Sequence, residues 1–451
     1  MGAPCAHPQC CDWGVQIMQE FITRAKQKVE QAELYRISAR ETPVRFENNR
    51  LLSIDSAEQI VYALRIIKDG KLGFATSSSA DLDQLLTMAM ATARFGREWD
   101  VELPGAAPTR ELEIYHQATV DVPLDQMVNS GQELIDVLRD VHPEILAGID
   151  LSKTVLNVEL ANSNGFNHKY TKNLYAMSGY AELMEGKNLL AVYSGFATGK
   201  LANQAEKLKQ YLEANIRAGR KNVAVASDHY PVIFTPWALP DILRPLLASA
   251  DGKAVEKGFS PWKGKLGQQL FAPEISLYDD ATLAWGPESR PFDDEGVPTA
   301  RNSIIERGKV NSFLLDLATA KALGMQPTGN GFRGRASDLP SPGTSNIILE
   351  SSDTTGLEAM IKATRRGVII HELMGAWAGN PYSGQVSGNI ALGYLIENGE
   401  IVGRLKDSMV SINCFQAFKN QIDAVSTEKE WTENYLLPHV KFTDVSISAK
   451  K

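Results

Sequence analysis

The sequence predicts an α+β fold in two domains. The N-terminal domain (1–225) should hold antiparallel or mixed sheet with helices, and the C-terminal domain (226–451) should be strand-rich and barrel-like. Three observations carry this expectation. Short runs rich in β-branched and aromatic residues recur along the whole chain. Asn48-Asn49, Asp69-Gly70 and Asn398-Gly399 lie between such runs, where a two-residue hairpin turn needs positive φ at both positions. A length of 451 residues exceeds what one ordinary core supports.

In chain order, a helix is expected after Asp12, with Met18, Phe21, Ile22, Ala25, Val29 and Ala32 on its apolar face. Strands follow at 34–38, 44–47, 50–55, 59–67 and 71–75, and Asp81 should cap a second helix that turns Leu82, Leu85, Leu86, Ala89 and Ala93 inward. A short strand is expected at 112–115 and a helix over 124–141. Strands return at 154–161, 169–184 and 188–197, before an amphipathic helix over 201–218. The basic stretch 217–221 reads as a linker. Beyond it come a strand at 232–234, a helix over 237–250 opened by proline, and then mostly strands, with IIERGKV and LIENGEI repeating the hairpin grammar of IIKDGKL.

Composition narrows the function classes. Hydrophobic content of 43% and charged content of 22% are those of a water-soluble globular protein. A net charge of −8 argues against nucleic acid as a partner, and no apolar run is long enough to span a membrane. Nothing resembles a secretory leader, and the four cysteines do not form a staple pattern, so a cytoplasmic protein is expected. Cys5, Cys10 and Cys11, with His7 among them, read as unpaired thiols in a loose end rather than a metal knot, and Cys414 as a buried thiol in an apolar strand.

The densest stretch is Arg365 to Phe415. Six glycines lie between Glu372 and Ile401, which suits close approach of backbone to backbone or to a ligand. His371-Glu372 begins like a zinc-protease H-E-x-x-H, but the second histidine position holds Gly375. VIIHEL also reads as a strand, which should point the two side chains to opposite faces, so a structural pair is expected. Gly329, Gly331 and Gly334 match G-x-G-x-x-G without the strand before and helix after that a dinucleotide needs. Arg333 and Arg335 in that loop are candidates for holding a carboxylate or phosphate, a solvated basic loop being the favoured alternative. Asp293, Asp294 and Glu295 read as a turn with acidic caps in preference to a cation site.

Several segments together resemble one family. These are GFA (Gly73 to Ala75), NSNG (Asn162 to Gly165), KGKLGQQL (Lys263 to Leu270), RPFDDEGVPT (Arg290 to Thr299), LPSPGTSNIIL (Leu339 to Leu349), HELMG (His371 to Gly375) and LIENGEI (Leu395 to Ile401). They are similar to the TldD/PmbA family, once called modulators of DNA gyrase, over nearly the whole chain from about residue 15. The resemblance implies a metallopeptidase made of two related subunits. The TldD type bears zinc on an H-E-x-x-x-H helix and a downstream cysteine, and the PmbA (TldE) type lacks those ligands. Read back from Lys257-Gly258, the equivalent helix here places Leu243, Arg244 and Ala248 at the two ligand positions and the base position.

The resemblance therefore implies a non-catalytic PmbA/TldE-type subunit with no cofactor of its own, zinc being expected only in a TldD-type partner. It implies peptide substrates bound in extended form near Gly375, Gly379, Arg333 and Arg335. In isolation a homodimer is expected. Two other readings stay open: a non-proteolytic interaction protein, and an autonomous metallohydrolase using His371 and Glu372 as catalytic residues or the acidic run Asp293 to Glu295.

Overall fold

The structure is a computed structural model, and it describes residues 12–449. Cys5, His7, Cys10 and Cys11 lie outside the described residues. The first half builds one seven-stranded antiparallel sheet. Helix α1 (Asp12–Ala25) leads into β1 (Gln31–Glu47), β2 (Arg50–Ser53), β3 (Ala57–Lys68) and β4 (Lys71–Ser77). Helices α2 (Leu82–Ala93), α3 (Gln117–Val120) and α4 (Leu124–Val141) follow, then β5 (Leu146–Asn162), β6 (Asn167–Glu185), β7 (Asn188–Thr198) and α5 (Gln204–Gly219). The strand order is β4-β3-β1-β5-β6-β7, with β2 pairing β1.

Helices cover one face of this sheet. In β5, Ala147, Ile149 and Leu151 pack with α4 and α5, and Ala161, of the same parity, packs with α1 and α2. Val158 and Leu160 point the other way, into an aromatic cluster with Tyr35, Phe166 and Phe292. Asp81 caps α2 as expected, its Oδ1 accepting from the Gln84 N–H at 2.9 Å.

Several boundaries differ from expectation, each for a physical reason. Helix α1 ends at Ala25, and Val29 and Ala32 are buried in the turn and strand that follow. Strand β1 runs unbroken through Thr42-Pro43, because β5 supplies a continuous ladder there, beyond the end of the β3 pairing at Glu41, that local propensity does not report. The segment 112–115 forms no strand. At Asn48-Asn49, Asp69-Gly70 and Asn398-Gly399 both residues have positive φ, as two-residue hairpins require.

The second half holds β8 (Asn222–Val223), β9 (Asp228–Phe234), α6 (Leu239–Ala250), α7 (Gly252–Glu256), β10 (Ile275–Asp280), β11 (Arg301–Glu306) and β12 (Lys309–Val310). These are followed by α8 (Leu317–Leu323), β13 (Gly331–Phe332), β14 (Ser341–Pro342), β15 (Ile347–Ser351) and α9 (Leu357–Lys362). The chain then runs through β16 (Arg366–Met374), β17 (Gln385–Glu397), β18 (Glu400–Leu405), β19 (Ser408–Asn413), α10 (Cys414–Asn420), β20 (Ile422–Thr432) and β21 (Tyr435–Ala449). Five strands close a ring: β21 pairs β9, β9 pairs β16, β16 pairs β17, β17 pairs β19, and β19 pairs β21. From β21 the sheet continues through β15, β10, β11 and β12, from β17 it continues through β18 and β8, β20 pairs β21, and β13 and β14 form a separate two-stranded sheet.

The barrel interior is apolar, with Val232, Phe234, Val368, Ile370, Val410, Ile412, Val440 and Phe442 in one cluster with Leu239, Ile242, Leu243 and Leu246 of α6. Cys414 is buried as expected, but it opens helix α10 instead of lying in a strand, since the Asn413 side chain accepts from the Gln416 N–H and caps the helix.

The halves meet through buried charge. Arg65 on β3 donates to Glu33 of β1 at 2.6 Å and to Glu295 at 2.7 Å, and Arg333 approaches the other Glu33 oxygen at 3.3 Å. All four side chains are at most 2% exposed. Glu295 also accepts from the Leu317 N–H at 2.7 Å. Asp293 takes the N–H groups of Glu295, Val297 and Gly331, and Asp294 that of Arg333. The acidic run thus does form a capped turn, with Gly296 at φ +84°, but the turn is buried instead of solvated. Burial pushes the Asp293 and Glu295 carboxyls above the usual range, and Arg65 opposes the shift on Glu295.

Removing one partner of such a network strands a buried charge. Arg65→Met should cost about 3–5 kcal/mol in a urea titration. Arg45→Met, which breaks only the exposed pair with Asp150, should leave the midpoint unchanged. Equal midpoints for the two variants would refute this assignment.

Candidate functional site at the junction of barrel and helices

The stretch 366–385 crosses the junction between the barrel wall and α5. Along β16, Val368 and Ile370 face the barrel core while Ile369 faces the cluster shared with α4 and α5. A β-bulge then interrupts the pairing with β17 between Ile370 and Leu373. Leu373 packs against the barrel core, a position that strict alternation from Ile369 would deny it. Strict alternation, on which the expected placement of His371 and Glu372 on opposite faces rests, therefore does not govern these two residues.

His371 is half-buried and sits at hydrogen-bond distance from Tyr211 of α5, Nδ1 to Oη 3.2 Å. Its ring meets Tyr394 edge-on with centroids 5.4 Å apart. His439 on β21 is 5% exposed, and its N–H donates to the Ser426 hydroxyl at 2.8 Å. Burial, with His439 nearby, pushes the His371 imidazole down to about 3; burial takes His439 to about 4. Burial likewise raises the carboxyls of Glu372 and Glu430. Both imidazoles are held neutral at pH 7, His371 among the rings of Tyr211 and Tyr394 and His439 beside the Ser426 hydroxyl.

On its other side β16 pairs β9 in parallel only from Val368 to Ile370. Among the described residues no strand pairs Glu372–Met374 on that side. The chain continues through Gly375 (φ +78°) and Gly379 (φ +114°), where an added Cβ would meet nothing within 4 Å. These two glycines serve backbone conformation, not the close approach expected from their density. Met374 and Trp377 are 60% and 70% exposed, and the Arg244 guanidinium donates to the Trp377 carbonyl. The 3₁₀ turn Pro381–Ser383 lies against α6, and Tyr382 stacks on Phe259 with centroids 6.3 Å apart.

Helix α6 therefore presents Arg244 to the loop after β16 while Leu243 is fully buried and Ala248 is partly covered. The helix reads LPDILRPLLASA, so Asp241 is its one carboxylate and it holds no His, Glu or Cys. Burial raises the Asp241 carboxyl, with Arg244 opposing.

Other expected site residues fall elsewhere. Arg333 does not lie on a solvated loop: its side chain is 2% exposed, bound to Glu33 and stacked over Tyr35 at 4.7 Å, so it is committed to the interface between the halves. Arg335 is exposed, with its N–H held by Asp338. Gly329, Gly331 and Gly334 lie in a contact loop followed by no helix, the Gly331 N–H bonding Asp293. Sequence reasoning missed Tyr211 and His439, which reach His371 from 160 and 68 residues away; no local signal marks either.

A closed barrel carrying a plugging helix, with a half-open strand edge beside it, defines a class, and the similarities of the chain name it. Residues 227–449 match the profile of the PmbA/TldA metallopeptidase C-terminal domain, and residues 32–93 match PmbA/TldA metallopeptidase domain 1. The chain belongs to the PmbA/TldD family. It is 23% identical to a metalloprotease PmbA homolog of Haemophilus influenzae, covering 88% of this chain and 90% of that protein. A metalloprotease of Methanothermobacter thermautotrophicus is 24% identical over 89% of each. The crystal structure of TldE from Thermococcus kodakarensis superposes with a TM-score of 0.89 at 24% identity, over 96% of this chain and 100% of that one, which establishes the shared fold.

A family of metallopeptidases implies a metal ion, which the resemblance drawn from the sequence expects to be zinc. Leu243, Arg244 and Ala248 offer it no donor, and among the described residues no group of three or more His, Cys, Asp or Glu is placed to hold a metal ion. The residues of α6 do not fit the ion.

The depressed imidazoles make a pH prediction. The unfolded chain binds protons at these two sites below about pH 6.5, whereas the folded chain resists them to about pH 3 and 4. Their contribution is fully present above pH 6.5 and is lost as pH falls through that window. His371→Gln should cost about 1–3 kcal/mol at pH 7.5 through the Tyr211 bond. It should also flatten the fall in urea midpoint between pH 7 and 5, and an unchanged acid slope would count against neutral burial of His371.

Proposed function

We propose that this chain is the non-catalytic, PmbA/TldE-type subunit of a two-subunit metallopeptidase. In this reading it contributes a strand edge for extended peptide while a TldD-type partner supplies zinc. The observation that carries the proposal is the chemistry of α6, which has one carboxylate and no histidine along its length. The edge at Glu372–Met374 supports the peptide half of the reading, since an added strand would find unpaired backbone groups there and exposed Met374 and Trp377 beside them. Arg333 has no part in peptide binding in this scheme, and Arg335 is left as its one basic candidate.

A second reading, an autonomous metallohydrolase on His371 and Glu372, draws on the bulge at these residues. It is weakened by the Tyr211 bond and by the absence of a third donor among the described residues. An interaction protein without proteolysis would use the same exposed Met374 and Trp377.

In the absence of a partner the chain should form a two-fold homodimer burying more than about 2,000 Å², the scale of an obligate interface. Sedimentation as a monomer at micromolar concentration would exclude this. Purified alone, it should hold substoichiometric zinc by elemental analysis and cleave no unfolded peptide. Mixed with a TldD-type subunit, it should exchange into a heterodimer, and turnover should appear only then. One tightly held zinc per isolated chain, or hydrolysis by it alone, would favour the autonomous enzyme. Stable pairing with no gain in turnover would favour the interaction protein.

A further inference from the structure

A cavity of about 470 Å³ opens on the helix-covered face of the N-terminal sheet, beside Ile17 of α1 and Leu82 of α2, and nothing in the peptidase reading uses it. Its lining includes Arg36 and Ser38 of β1 and Asn157 and Glu159 of β5. Glu159 is 8% exposed. Its Oε1 accepts from Arg36 Nη1 at 2.9 Å, whereas its Oε2 is buried without a hydrogen-bond partner. A buried carboxylate oxygen left unpaired is costly, and a donor brought by a ligand would remove that cost.

The Arg36–Glu159 pair presents a guanidinium and a carboxylate side by side, and the group that complements both at once is a zwitterion with neighbouring charges. Charge in the cavity agrees. Arg36 and Glu159 face the cavity as a pair of opposite charges, so an anion or a cation alone would match only one of them. Ile17, 44% exposed, and Leu82 offer apolar contact beside these groups. We propose that this cavity binds a free α-amino acid with an apolar side chain, its ammonium on Glu159 and its carboxylate on Arg36. A dipeptide matches less well, because a peptide unit separates its charged ends.

Calorimetric titration of the full chain with leucine, isoleucine, methionine and phenylalanine tests this. At least one should bind, with N-acetyl-leucine and leucinamide weaker by about tenfold or more, since each lacks one charge of the pair. Glu159→Gln should weaken binding similarly. Should that variant fold poorly, Ala80→Trp, at the exposed rim of the cavity, should abolish the heat of binding with the melting temperature unchanged. Silence from all four amino acids at millimolar concentration would overturn the proposal. So would undiminished binding to Ala80→Trp, or leucyl-leucine binding more tightly than leucine.

Discussion

The buried ion-pair network of Arg65, Glu33, Glu295 and Arg333 is the constraint on which the relation between the two halves depends. Two carboxylates and two guanidiniums at most 2% exposed would each be costly alone; together they pair their charges, with help from the Leu317 N–H, although Arg65 Nε and Arg333 Nε stay buried without a hydrogen-bond partner. The residues come from β1, β3, the 290–298 turn and the loop after β13, so the network forms only when all four segments are in register. Lys172 extends the same logic: it donates to the Pro287 carbonyl at 2.6 Å, and burial draws its ammonium down to about 8. The motif RPFDDEGVPT is thus chiefly an interface device, with Phe292 packed among Tyr170 and Phe166.

Much of the fold was legible where the signal is local. Hairpin dipeptides marked the turns, Asp81 marked a helix start, and the 3.6-residue period marked α2 and α4. Pairing obscured the rest. The extent of β1 depends on β3 and β5, which no window of a few residues contains. The burial of Asp293, Asp294 and Glu295 was illegible because charged residues carry the composition of a surface, and only their distant partners make the interior tolerable. The bulge at His371 and Glu372 was illegible for another reason, since a bulge is an extra residue in the register and leaves no mark in either strand alone.

At the candidate site, the absence of His, Glu and Cys from α6 was visible in the sequence, but its meaning came from the resemblance. The geometry adds that Leu243 is part of the barrel core and that Arg244 is tied to the loop after β16. A restored zinc site would therefore have to place polar donors where an apolar plug now stands.

The closed ring of the barrel has a consequence for how the chain is made. β21 is the last of its strands to leave the ribosome, yet it pairs with β9, made some 200 residues earlier, and with β19 and β20. Until then β9, β16 and β17 have no way to close, and their apolar inner faces stay open while the first half can already have collected its sheet and helices. Synthesis should therefore pass through a long interval in which the N-terminal sheet and helices, with Arg65 and Glu33 still waiting for Glu295 and Arg333, are tethered to an unsealed barrel. In that interval the nascent chain, more than the mature protein, would need a chaperone's shelter.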